Sequence, residues 1–252
     1  TQVFDETGQP LSHIETDADP ANTNPAPSKW VTAVTRDSTG CVSEVDTPAS
    51  VTGYTHSSGA ITVSSSAGLI KSYARTASGD GTGFGTDVQW KAGTSGTAYF
   101  ESSQVFNYTT AKVTIGAVDV VRPLISDQYD YPSATTTQFS GANRTQYAYS
   151  TYTGANPSQP LALEEVIITP PAVTTGNNGS NSPDWRYVHY KKDGTEDFRQ
   201  QSDGSHRIVT YHAYTNGQVT TKKDDANTGG LNPPTGYGSE GAPLNFTTTS
   251  AF

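Results

Sequence analysis

Methionine is absent from the 252-residue chain, and cysteine occurs once, at Cys41. With no methionine, and with Thr1 leading straight into a strand-like segment, the chain reads as a mature or trimmed piece. Any signal peptide would have gone with the start, so its absence carries no information. A lone cysteine excludes an intramolecular disulfide and any zinc site built on several thiolates. Cys41 is expected to be a small buried hydrophobe, with an intermolecular disulfide or a reactive thiol as the alternatives. Charge is scarce as well: only 15% of residues are charged, and 24 acidic residues against 15 basic ones leave a net charge of −9. That balance argues against nucleic acid as a partner, because displacing counterions from phosphates needs clustered Lys and Arg. No run approaches the ~18 apolar residues of a membrane-spanning helix, so this piece carries no transmembrane segment of that kind. Helix signals are nearly missing too. The best stretch, Leu161 to Ile168, is short, stops at Pro170-Pro171, and carries Val166-Ile167-Ile168, which favours a strand.

A quarter of the chain is Ser or Thr, with 24 Gly and 15 Pro, and only 33% of residues are hydrophobic. Such a composition would mean disorder if aromatics were few. The 14 Tyr, 8 Phe and 3 Trp point the other way, because short strands joined by tight turns can bury aromatic faces over a thin core. Period-two alternation marks Trp30 to Thr35, Ile61 to Val63, Val113 to Ile115, Tyr187 to Tyr190, Ile208 to Tyr211 and Gln218 to Thr221 as strands. Tight turns are expected at Asp5 to Gly8, Asp37 to Gly40, Ser57 to Gly59, Lys192 to Gly194 and Thr215 to Gly217, where Gly or Asn accepts the positive φ of a hairpin. Asp17 to Ser28, Thr174 to Pro183 and Asp225 to Pro243 read as loops. The fold class is all-β: an antiparallel hairpin array, or alternatively a closed β-sandwich. A chain of this length fits one continuous all-β architecture.

An imperfect repeat runs beneath this pattern. Asp37 to Val42 leads to an acidic turn at Asp46, and Tyr54 to Ile61 leads to Gly68-Leu69-Ile70. The clearest copy is Tyr211-His-Ala-Tyr214-Thr-Asn-Gly217-Gln-Val219, running to Asp224-Asp225-Ala-Asn227. Each copy reads as strand, Gly-closed turn, strand and acidic turn, a unit of about twenty residues whose neighbours would stack into one sheet. The pattern Tyr-x-x-Tyr-(Asp)-x-x-Gly-x-(Leu/Val) resembles the YD repeat, or RHS repeat, with Thr215 standing where Asp is usual. The resemblance is good over Tyr211 to Asn227 and fair over Asp37 to Asp46 and Tyr190 to Phe198. It is poor from Tyr73 to Trp185, where only Tyr129-Asp130-Tyr131 and Tyr147-Ala-Tyr149 are similar. It implies a long antiparallel strip that spirals into a shell in the family's well-studied members, and secretion or surface display on bacteria. On this reading residues 1–72 are YD-like hairpins, 73–185 a divergent β-rich segment, and 186–252 a YD-like repeat ending in a Gly/Pro-rich loop.

Candidate sites are weak throughout. Gly236-Tyr-Gly238-Ser-Glu-Gly241 has the spelling of a dinucleotide-binding loop. However, Pro233-Pro234 precede it where a strand should end, and Ala242-Pro243 follow where a helix should begin. Asp80 to Asp87 lacks the alternating acids of a calcium loop and reads as a hairpin tip. Asp224 to Asn227 reads as an Asx-type turn. His189 and His212 sit on strands that are candidates for neighbours and would form a cross-strand metal pair without a third ligand; the alternative is a solvated polar face. His13, His56 and His206 are isolated. Glu164 and Glu165 are adjacent on a strand, so they point to opposite faces and cannot serve as one acid/base pair. Neither a G-x-S-x-G elbow nor an H-E-x-x-H helix occurs. Nor does the Pro…Asp-Pro-x-Gly-Leu self-cleavage pattern of some YD-repeat proteins, because Asp19-Pro20 continues as Ala-Asn-Thr. Asn107, Asn143, Asn178 and Asn245 head glycosylation sequons by spelling alone. No catalytic, cofactor-binding or metal-ligating residue is therefore assigned.

The functional expectation is a non-catalytic structural repeat segment of a large secreted or cell-surface bacterial protein. Its partners would be further repeats of its own or a neighbouring chain, paired through sheet edges. The alternative is an adhesin-like module that binds surface glycans or protein, with Tyr and Trp stacking on sugar rings. An enzyme comes third.

Overall fold

The computed structural model describes residues 2–4, 8, 10–16, 29–55, 60–108, 112–115, 117–152, 162–177, 179, 181–202, 206–224, 239–240 and 246–249. The turns expected around residues 5–7 and 57–59, and the loop at 17–28, lie outside these residues. Among the described residues strands dominate, and the one helical element is a short 3-10 turn, Thr175–Asn177. The chain divides into two compact units: Thr1–Ala77, Gly85–Ser103 and Asp130–Ala142 make the first, and Ser78–Phe84, Gln104–Tyr129 and Asn143–Phe252 make the second.

The first unit draws on β1 (Gln2–Phe4), β2 (Pro10–Thr16), β3 (Lys29–Arg36), β4 (Val42–Asp46), β5 (Val51–Thr55), β6 (Ala60–Val63), β7 (Leu69–Ala77), β8 (Gly83–Ala92) and β9 (Tyr99–Asn107). They lie side by side as β1-β2-β3-β4-β7-β8-β9, while β5 and β6 pair as a separate antiparallel hairpin. Val31 and Ala33 on β3, Ile70 on β7 and Phe100 on β9 supply its buried apolar side chains. Gly68 occupies a tight crossing here. Its φ is +77°, and a Cβ built on it would lie 2.0 Å from the Ser50 backbone nitrogen.

The second unit adds β10 (Lys112–Ile115), β11 (Val118–Val121), β12 (Leu124–Asp130), β13 (Asn143–Thr151), β14 (Leu163–Thr169), β15 (Trp185–Tyr190), β16 (Glu196–Ser202), β17 (His206–Thr215), β18 (Gln218–Asp224), β19 (Ser239–Glu240) and β20 (Phe246–Thr249). Its sheet runs β12-β13-β14-β15-β16-β17-β18-β20, with β19 parallel to β17 and β10-β11 as a separate hairpin. From β12 to β18 every strand neighbours its successor in sequence, the order that hairpin connections impose. Of the stretch read as a strand over a helix, Leu161 to Ile168, residues 163–168 lie in β14, and Leu161 is outside the described residues.

Hairpin geometry follows from local chemistry. At Lys191–Thr195 the Lys191 N–H donates to Thr195 O (2.8 Å), and the Gly194 N–H donates to Lys191 O (2.8 Å). Gly194 sits at φ +83° in open space, the left-handed position that closes a three-residue hairpin loop with a bulge. A loop one residue longer closes Ser78–Gly83 around Gly81, and the Lys191–Thr195 bond pattern itself closes Asp37–Cys41 around Gly40. Cys41 is the last residue of that turn and is exposed, not buried as expected. Its backbone is committed to Asp37 through both its N–H and its carbonyl, which leaves the thiol at the hairpin tip.

Register then decides the core. Ile167, Tyr187, Gln200 and Val209 stand directly opposite one another across β14 to β17. Trp185, Tyr187, Phe198 and Val209 are buried together, with Ile167 and Tyr211 packed against them. Alternation on β15 is clean, with Trp185 and Tyr187 buried and Arg186 between them exposed. Gln200 shares this face and is fully buried, and its amide makes no hydrogen bond, which costs about 1–3 kcal/mol of desolvation. In the clearest repeat, Tyr211 joins the core, whereas a bulge after Ala213 sets Tyr214 opposite Val219. The Tyr214 ring there lies under the Lys191 ammonium at 5.3 Å.

Gly194→Ala should cost about 1–2 kcal/mol, the strain of a left-handed residue in open space. Gly68→Ala should cost clearly more, because backbone must also move; equal losses in denaturant titrations would contradict that crossing. Truncating Tyr211 to Ala should cost roughly 3 kcal/mol. The same change at Tyr214 should cost about 1 kcal/mol, the scale of a surface cation–π contact.

Candidate functional site

The acidic residues resolve into structural roles. Asp80 lies at a hairpin tip, where one oxygen accepts both the Thr82 N–H (3.0 Å) and the Thr82 hydroxyl (2.7 Å). Asp193 clamps Thr195 in the same way (2.9 and 2.6 Å), and Asp37 clamps Thr39 (2.8 and 2.6 Å). Asp87 is on β8 and accepts the Gln138 amide, so Asp80 and Asp87 do not make a calcium loop. Asp224 ends β18, where its carboxylate accepts the Thr210 hydroxyl from β17 (3.0 Å) and pairs with Lys222 (2.8 Å); the amides that an Asx turn there would use lie outside the described residues. Asp225 and Asn227 lie outside the described residues.

Glu164 and Glu165 are successive on β14, as expected. Glu165 accepts the Tyr187 hydroxyl (2.6 Å) and the Ser150 hydroxyl (3.1 Å). Burial first, and the Glu165 carboxylate second, push the Tyr187 phenol far above its ordinary range. This carboxylate therefore satisfies a buried hydroxyl.

The two histidines do not form a cross-strand pair, because β16 runs between β15 and β17. His189 stands opposite Phe198, which stands opposite Tyr211, so His212, one residue further on, points to the other face. The His189 Nδ1 is 3.3 Å from Asp197 and its ring stacks on Phe198 at 5.0 Å. The His212 Nδ1 is 3.2 Å from Glu196, which also holds Arg199 (2.7 Å). The alternative of a solvated face fails too, since His212 is buried. Among the described residues no three His, Cys, Asp or Glu side chains group as a metal site.

Asn143 is exposed at the start of β13 and Asn107 ends β9, while Asn178 and Asn245 lie outside the described residues. So do Gly236, Gly238 and Gly241; Ser239–Glu240 between them pair with β17 as a strand.

Among the described residues, a cleft of about 430 Å³ in the second unit carries chemistry. Arg122, Tyr190 and Lys192 line it beside Ala162, Leu163 and the Asp193-Gly194 turn. The Tyr152 hydroxyl donates to the Tyr190 carbonyl (2.6 Å), and its ring carries the Lys192 ammonium at 5.5 Å. No local sequence signal marks this site. Arg122 and Lys192 are far apart in the chain, share no motif, and meet only through the strand order.

Compared with protein-family models the chain matches none, and no curated protein matches it.

The Asp–Thr clamps carry a pH dependence. Their hydrogen bonds hold Asp37 and Asp193 below the usual carboxylate range and bring Asp80 down to about 2. A depressed folded-state pKa means that the stabilisation is present above the unfolded value, about 3.9. It is lost as pH falls through the folded one. Acid titration should therefore loosen these turns below about pH 4. Thr82→Val should return Asp80 towards its ordinary pKa, read from its carboxyl chemical shift.

Proposed function

We propose that the chain is a non-catalytic structural segment, a divergent YD-repeat-like strip of hairpins, belonging to a large bacterial protein that is secreted or displayed at the cell surface. The observation that supports this reading is the serial pairing of β12 to β18, each strand beside its successor, together with Gly-closed turns at Asp37–Cys41, Ser78–Gly83 and Lys191–Thr195. Units of this kind bury their apolar faces on one another. The partners are then further repeats of the same or a neighbouring chain, joined through sheet edges. A second reading, an adhesin-like binding module, draws on a different observation: Trp30, Tyr73 and Phe139 of the first unit are exposed. Joining the chain to its flanking sequence separates the two. A raised unfolding midpoint favours the array, and an unchanged one favours the module.

Catalysis ranks last, because Asp87, Asp130, Glu164 and Asp184 lie on separate strands and loops. Screens with glycan, ester and peptide substrates should give no turnover above background. Asp87→Asn, Asp130→Asn, Glu164→Gln and Asp184→Asn should change nothing. Turnover abolished by any one of them would put the enzyme reading first.

A further inference from the structure

We infer that the Arg122–Lys192 cleft of the second unit binds an acidic sugar, a pyranose ring bearing one carboxylate. This goes beyond the scaffold reading, which needs no ligand.

Two cations converge on one cleft in a chain of net charge −9. Neither Arg122 nor Lys192 has a carboxylate partner among the described residues. The contrast with Lys191 is informative: that neighbour is spent on Asp197 (3.5 Å) and on the Tyr214 ring. Lys192 instead rests on the face of Tyr152, and Tyr152 is itself anchored to the Tyr190 carbonyl. The ammonium is thus held at the cleft by a braced aromatic ring. Arg122 adds a planar guanidinium, whose paired N–H groups match the two oxygens of a carboxylate.

The rest of the lining selects what carries that carboxylate. Leu163, Ala162 and Tyr190 give the lining apolar and aromatic residues, suited to the C–H face of a sugar ring. A bare phosphate fits poorly for two reasons. Two of the turn's amides are already committed, Gly194 N–H to Lys191 O and Thr195 N–H to Asp193, which leaves fewer N–H groups for a nest around a phosphate. Asp193 also places a carboxylate on the cleft, held ionised by its Thr195 bonds, which opposes a doubly charged group more than a singly charged one. The volume of about 430 Å³ lies within the usual range for small-molecule sites, roughly 300–1,000 Å³, and accommodates a mono- or disaccharide.

The test titrates the full chain with glucuronic acid and N-acetylneuraminic acid by ligand-observed NMR, with glucose and inorganic phosphate as comparisons. At least one acidic sugar should bind in the millimolar range and weaken with added salt. Glucose and phosphate should bind far more weakly. Arg122→Gln and Lys192→Gln should each reduce affinity roughly tenfold. Both side chains are exposed, so the variants should keep the parent circular dichroism spectrum. Sialyllactose and a hyaluronan tetrasaccharide then distinguish a terminal from an internal acidic sugar. The inference is overturned if neither acid binds, if glucose or phosphate binds as well, or if the Arg122→Gln/Lys192→Gln double variant binds undiminished. Such a failure would leave the scaffold reading as it stands, since that reading rests on strand order and turns.

Discussion

Register in the second unit depends on how its hairpins are closed. In the Lys191–Thr195 turn a left-handed Gly194 and two short backbone bonds fix which residue of β16 faces which residue of β15. A slip of one residue would turn every side chain to the opposite face. Held in place, the pairing sets Tyr187 against Gln200 and His189 against Phe198, and the aromatic core of the unit follows. The Asp193–Thr195 clamp reinforces the turn from outside the ladder. Asp80 and Asp37 repeat that device elsewhere in the chain.

A chain with so few aliphatic residues needs its aromatic rings to bury the apolar area, and rings bring polar atoms with them. Tyr187 solves this by donating to Glu165, which also serves Ser150. Asp197 and Glu196 divide between His189 and His212 on the two faces of the sheet. Charged groups half buried in a sheet are costly unless partnered. These pairings explain why several of the chain's few charges sit at strand crossings instead of in a site. Gln200, by contrast, is buried without a hydrogen bond or a charged partner in the row that contains Tyr187 and Val209.

The same turn that sets register also shapes the cleft. Lys192, Asp193 and Gly194 are turn residues, and Tyr190 ends the strand that leads into the turn. A hairpin scaffold can thus carry recognition chemistry on its connections while its strands stay structural, the usual division between loops and framework.

Alternation and turn residues made β3, β6, β10, β15, β17 and β18 and the turns before Gly40, Gly194 and Gly217 legible in the sequence, since both are local: period two follows from the pleat, and Gly or Asn from positive φ. The strand β14 and the turn at Lys192 to Gly194 could be read from local sequence alone. Cys41 could not, because its exposure depends on its place at the end of a turn and not on its hydrophobicity. The relation of His189 to His212 and the partners of Asp224 were equally hidden. Each depends on which strand lies beside which, information carried by pairing between distant segments. The cleft is the clearest case. Arg122 and Lys192 belong to connections far apart in the chain, so local chemistry supplied the two cations, and only the order of strands in the sheet brought them to one opening.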